Sequence, residues 1–247
     1  MAALIVNADD FGLAPGVHRG IREARLHGIV TSTSMIVNLP GLEAAVRDLR
    51  EGPDIGIGLH LNLTQGKPVR AAGDVPSLVD AEGMLQGDDD EIAARWTPDD
   101  VRRELKAQVD LFRSTGLPLS HLDSHKHIHR HLQVLDVVID LASSLHLPVR
   151  PLHRERLDAA GIASPLQYVD AVYFDPDSLG KLMRRLQSLP DGVSEFGCHP
   201  GYVDDLLRDR SVWVEERERE LKLLTSDAVR TAIHDFGIDL VDYRIFA

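Results

Sequence analysis

An α/β barrel is the fold this sequence predicts, and three observations carry it. Short apolar runs alternate with segments of helical period along the whole chain. Neither a composition break nor an internal repeat divides the 247 residues, a length that single α/β barrels reach. The polar residues able to do chemistry gather where predicted strands end, the usual place for sites on parallel sheets. Residues 1–247 are therefore expected to form one domain with seven or so strands, closed rather than open. A doubly wound sheet is the alternative, but "GLAPGVHRG" lacks the GxGxxG spacing of a dinucleotide site.

The elements follow in order. "ALIVN" (Ala3 to Asn7) is an apolar run stopped by two aspartates and reads as a buried parallel strand. "PGVHRGIREARLHG" has Val17, Ile21, Ala24 and Leu26 near one face and Gly28 as a stop. "TSTSMIVN" is a second strand, Pro40 to Gly52 a second helix, and Ile55 to Leu63 an alternating third strand. The residues from about 64 to 98 are rich in Gly, Pro and Asp and predict a long loop, which is usually functional or mobile. Thr97 as N-cap and Pro98 behind it open a strong helix. "LSHLDSH" is a fourth strand and "HLQVLDVVIDLASSLHL" an apolar helix. "LPVRP", "YVDAVYF" and "GVSEFGCH" predict further strands, with helices around Ser178 to Leu189 and Val212 to Leu224. "GIDLVDYRIF" closes the chain.

Composition narrows the partners. A formal net charge of −12 argues against a nucleic-acid backbone or an anionic membrane surface. No apolar run approaches the roughly 18 residues of a membrane span. The lone Cys198 excludes an internal disulfide and reads as a small core residue. With no leader pattern in "MAALIVNADDFG", the expected location is the cytoplasm.

Five of the 12 histidines fall between His121 and His131. Asp9 and Asp10 follow the first strand, His60 lies near the end of the third, and His125 follows the fourth. Asp10, His60 and His125 on one rim give a carboxylate and two imidazoles, a set that binds a divalent cation and leaves room for water. Within the cluster, an extended strand puts His121, Asp123 and His125 on one face. A helix from Ser124 pairs His125 with His129, or His127 with His131. His125 is nearest the strand end and His129 is the other ligand candidate. Asn62 and His127 are candidate substrate contacts. Arg150 could bind a substrate oxygen or cover a helix end. In "EFGCHPGYVDD", His199 ends a strand before a forced turn and could protonate a leaving amine or hold an oxyanion.

Five segments, "LIVNADDFGLAPGVHRGIREA", "TSTSMIVN", "IGIGLHLNLTQGKPV", "HLDSHKHIH" and "CHPGYVD", together resemble the YdjC-type carbohydrate deacetylases, a family that includes chito-oligosaccharide deacetylases and hopanoid-biosynthesis members. The resemblance runs from the first strand to "DYRIF". It implies a distorted (β/α) barrel of the glycoside hydrolase and deacetylase type. It implies one divalent ion, Mg or Zn foremost, on Asp10, His60 and His125. It also implies that Asp9 is the catalytic base and that His199 stands on the opposite side of the site. The expected activity is hydrolytic removal of an N-acetyl group from an acetylated sugar or glycan. Related enzymes often form homodimers. Two other readings stay open: a glycosidase or phosphoesterase on the same rim, with Asp123 or Asp204 as second carboxyl to Asp9, and a non-catalytic sugar-binding protein.

Overall fold

Strand β1 (Ala2–Phe11) is the axis of a parallel seven-stranded sheet, in a computed structural model that describes residues 1–87, 89–170 and 177–247. From Leu4 onward every residue of β1 is buried, as expected of a strand covered on both faces. On one side lie β2 (Ser32–Met35), β3 (Gly56–Leu61) and β4 (Leu122–Ser124), and on the other β6 (Gly192–Cys198) and β5 (Tyr168–Val169). The short β7 (Asp239–Val241) pairs with Ala3 to Ile5, below the point where β2 joins at Asn7. Beyond β4, Leu122 donates its N–H to Pro148 O and receives one from Arg150 N, so residues 148–150 take the next place. The side chain of Arg150 then crosses to Asp9 on β1 and Glu195 on β6. The sheet is thus curled into a distorted (β/α) half-barrel.

Helices α1 (Pro15–His27), α2 (Leu42–Arg50), α4 (Pro98–Ser114), α5 (Leu132–Leu145), α7 (Ser178–Gln187), α9 (Glu215–Leu224) and α10 (Asp227–Asp235) are the longer helical elements. Thr97 caps α4 by accepting from Asp100 N, with Pro98 behind it, as the sequence predicts. Short helices α3 (Asp90–Ala93), α6 (Arg154–Ala159) and α8 (Asp205–Arg210) have no counterpart in the sequence reading.

Two expectations need correction. β1 runs through Asp9 and Asp10 instead of stopping before them, because both carboxylates meet buried arginines. "LPVRP" makes one isolated bridge, Leu122 to Val149, and no strand, since Pro148 and Pro151 have no N–H to give. The described part of the 64–98 segment is pinned against the body of the fold. Its Val75, Leu78, Leu85 and Trp96 are buried. Asp100, Glu104 and Gln108 form one buried polar row on α4, spaced four residues apart. Asp100 accepts from Ser77 N at 2.8 Å, and Glu104 from Val69 N and Arg70 N at 2.9 and 3.0 Å. The strand expected at "YVDAVYF" is seen as Tyr168–Val169, and residues 171–174 lie outside the described residues.

Candidate active site

The C-terminal end of β1 carries a bulge. Its register with β2 shifts between Ala8 and Phe11, and Asp10 adopts φ 70°. Neighbours on a regular strand point to opposite faces. The bulge brings both carboxylates to one side: Asp10 Oδ1 lies 3.5 Å and Asp9 Oδ2 3.9 Å from the same atom, His60 Nε2. Aspartate tolerates the left-handed region better than most residues, which suits it to this position.

The two carboxylates have different partners. Arg150 donates Nη1 to Asp9 Oδ2 and Nη2 to Asp9 Oδ1, both at 2.7 Å, and Asn7 Nδ2 adds a third bond at 2.8 Å. Burial would raise the acid's pKa, but Arg150 outweighs it and holds Asp9 far below the usual carboxylate range. Asp10 receives one bond, from Arg217 Nη2 to Oδ2 at 2.6 Å. Its Oδ1 is buried without a hydrogen-bond partner and faces His60 Nε2 at 3.5 Å and His125 Nε2 at 3.8 Å.

Each imidazole is oriented from behind. His60 Nδ1 bonds Asp123 Oδ1 at 2.8 Å, and Ser34 Oγ donates to Asp123 Oδ2 at 2.8 Å. Burial opposes charge on this ring, but Asp123, Asp9 and Asp10 raise its pKa to about 10 when no cation is present. His125 Nδ1 meets Thr64 Oγ1, which donates its own proton to Asn62 Oδ1 at 3.0 Å. Thr64 must then accept from His125 Nδ1–H, so Nε2 carries the lone pair that points at Asp10. Burial lowers the His125 pKa to about 4 and keeps the ring neutral. An orphaned carboxylate oxygen between two imidazole nitrogens, each backed by a polar group, fits a divalent cation.

Asp9, His60 and Asp123 also bring one ligand atom each within 4.8 Å of one another. Both carboxylates of that set already bond the guanidinium of Arg150, Asp123 Oδ2 at 2.9 Å. Arg150 occupies both oxygens of Asp9, whereas Arg217 reaches only Oδ2 of Asp10 and leaves Oδ1 unbonded.

His199 directly follows β6, which ends at Cys198. Its N–H donates to Glu220 Oε2 at 2.7 Å, its Nε2 is 3.9 Å from Asp9 Oδ2, and its ring meets the edge of Trp213 at 5.3 Å. Burial lowers its pKa below the ordinary histidine value. The glycines of α1 make this arrangement fit. A Cβ on Gly16 would strike Tyr202 O, and one on Gly20 the backbone of Gly201, so both let the turn after His199 lie against the helix.

Other sequence-based expectations change. His129 is fully buried and bonds Ser124, away from Asp10, because Lys126 and His127 take positive φ and no regular helix begins at Ser124. Asn62 is also fully buried. It donates to Asn38 Oδ1 and Gln65 O and accepts from Thr64, so it braces the loop behind His125. Arg150 is 0% exposed and bonds Asp9, Asp123 and Glu195, so it underlies the site instead of lining it. His127 is half-buried, its ring edge-on to Tyr168 at 5.2 Å and its Nε2 3.5 Å from Tyr168 Oη. Neither second carboxyl of a glycosidase is open: Asp123 is fully buried, and Asp204 caps α8 and accepts from Gly16 N at 2.6 Å. Sequence reasoning missed Arg217, Thr64, Ser34 and Glu220. Arg217 and Glu220 sit in the charged run "EERERELK", which carries no signal of burial.

The family model of the YdjC-like proteins matches residues 3–235. A carbohydrate deacetylase of Brevibacillus brevis is 39% identical over 97% of this chain and 98% of its own length. One from Geobacillus stearothermophilus is 37% identical over 98% and 97%. A crystal structure from Enterococcus faecalis, provisionally named a cellobiose-phosphate cleavage protein, superposes with TM-score 0.93 at 32% identity, covering 100% of this chain and 99% of that one. A family 4 carbohydrate esterase of Streptomyces lividans shares the fold, with TM-score 0.52 at 8% identity, over 97% and 91%.

Proposed function

Since this chain belongs to the YdjC-like family, we propose that it is a metal-dependent carbohydrate deacetylase, removing an N-acetyl group from an acetylated amino sugar or glycan and releasing acetate. The observation that carries this reading is Asp10 Oδ1, buried, unpartnered and turned toward His60 Nε2 and His125 Nε2. The deacetylase relatives at 35–39% identity over nearly the whole chain support it. Asp10, His60 and His125 are the metal ligands. One carboxylate and two imidazoles suit Zn or Mg foremost.

Bound there, a divalent cation would polarise the amide carbonyl and lower the pKa of a water to about 7. The remaining steps belong to the chain. Asp9 is held ionised by Arg150 and accepts the proton of the attacking water at Oδ2. Its low pKa makes it a weak base that gives the proton up readily. His199 Nε2, 3.9 Å from Asp9 Oδ2, takes it and delivers it to the departing sugar amine. The water proton thus ends on the amine, and both side chains return to their starting state. His127 at the rim contacts the sugar. Among the described residues no helix is long and apolar enough to cross a membrane. The lone buried Cys198 supports a cytoplasmic location.

The test is acetate release from a panel of N-acetylated chito-oligosaccharides. We expect release that stops with a chelator and returns on adding Zn or Mg. Release of sugar or phosphate in place of acetate, or release indifferent to chelation, would refute the reading.

A further inference from the structure

The two adjacent aspartates are told apart by their arginines. Arg150 occupies both oxygens of Asp9. Arg217 reaches only Oδ2 of Asp10. We infer that Arg217 is a positioning residue that fixes Asp10 as a one-oxygen ligand, presenting Oδ1 to the cation, and ties that ligand to the loop beside His199. The inference rests on the metal site proposed above.

The geometry is built for two grips. Arg217 is 2% exposed and lies on α9. Nη2 donates to Asp10 Oδ2 at 2.6 Å, while Nε donates to Trp213 O at 3.1 Å. Its backbone O accepts from Gly201 N, two residues past His199. Asp10 sits at φ 70°, so its carboxylate has no regular strand geometry to aim it. Rotation about the Cβ–Cγ bond would offer either oxygen, or both, to a cation. Anchoring Oδ2 removes that freedom. A planar guanidinium serves two acceptors in fixed directions, which a point-like ammonium does not.

Charge and positioning predict opposite results on removing Arg217. A positive charge so near a cation repels it, so charge alone predicts tighter metal binding without Arg217. Positioning predicts weaker binding. Partners behind metal ligands typically change affinity by about 10- to 100-fold.

The test is Zn²⁺ titration by calorimetry and Co²⁺ visible absorption, on chelator-stripped full-length protein, for wild type, Arg217→Met and Arg217→Lys. We expect Arg217→Met to bind Zn²⁺ about 10- to 100-fold more weakly and to change the Co²⁺ spectrum. Arg217→Lys should fall between it and wild type. Equal or tighter binding by Arg217→Met, or Arg217→Lys indistinguishable from wild type, overturns the inference. Should Arg217→Met fail to fold, Arg217→Lys decides alone. Wild type that binds no metal overturns the reading of the site itself, a different result from equal affinity in wild type and variant.

Discussion

Arg150 grips Asp9 with two parallel bonds of 2.7 Å across the interior of the half-barrel, from beside β4 to β1. The same guanidinium reaches Asp123 and Glu195 at 2.9 Å. Three buried carboxylates therefore depend on one cation. Replacing Arg150 by Met should destabilise the fold by about 3–5 kcal/mol, the cost of leaving buried charge unpaired. Chemical denaturation would show this. A loss under about 1 kcal/mol would mean the carboxylates find other partners.

Asp9 and Asp10 should separate cleanly by mutation. Asp9→Asn keeps every proposed metal ligand and should bind metal like wild type, while kcat falls by about 10²- to 10⁴-fold. Asp10→Asn should lose metal binding itself. Calorimetry and acetate release on both variants check the division. Normal turnover by Asp9→Asn would remove it from the mechanism.

The metal-free protein should lose stability as pH rises from about 6.5 to 8. Burial raises Glu220 to about 8 and Glu195 to about 7, against an ordinary 4.5. In that window the folded state still holds protons that the unfolded chain has released, so rising pH favours unfolding. His60, raised to about 10, acts in the same direction. Glu220→Gln keeps an acceptor for His199 N and should flatten part of this decline. Thermal midpoints of both proteins across pH 6 to 8.5 are the measurement, and parallel curves would count against Glu220.

Gly20→Ala should disturb the site from outside it. The added methyl would meet the Gly201 backbone, two residues from His199. Overpacking of this kind costs about 1–3 kcal/mol. We expect a lower melting temperature together with reduced kcat, because the turn carrying His199 must move. An unchanged kcat with lowered stability would show that the turn yields without shifting His199.

The sequence by itself determined the alternation of strands and helices, the cap of α4, and the gathering of Asp9, Asp10, His60, His125 and His199 at strand ends. Those signals are local: apolar period, capping residues, and polar side chains where buried runs stop. Only the tertiary structure decided how these residues divide. The bulge at Asp10, the pairing of His125 with Thr64 and the burial of Arg150 follow from contacts between residues far apart in the chain. Arg217 lies 207 positions from Asp10, inside a run of charges that reads as an ordinary solvated helix. Burial there depends on what α9 packs against, and no short stretch of sequence records that.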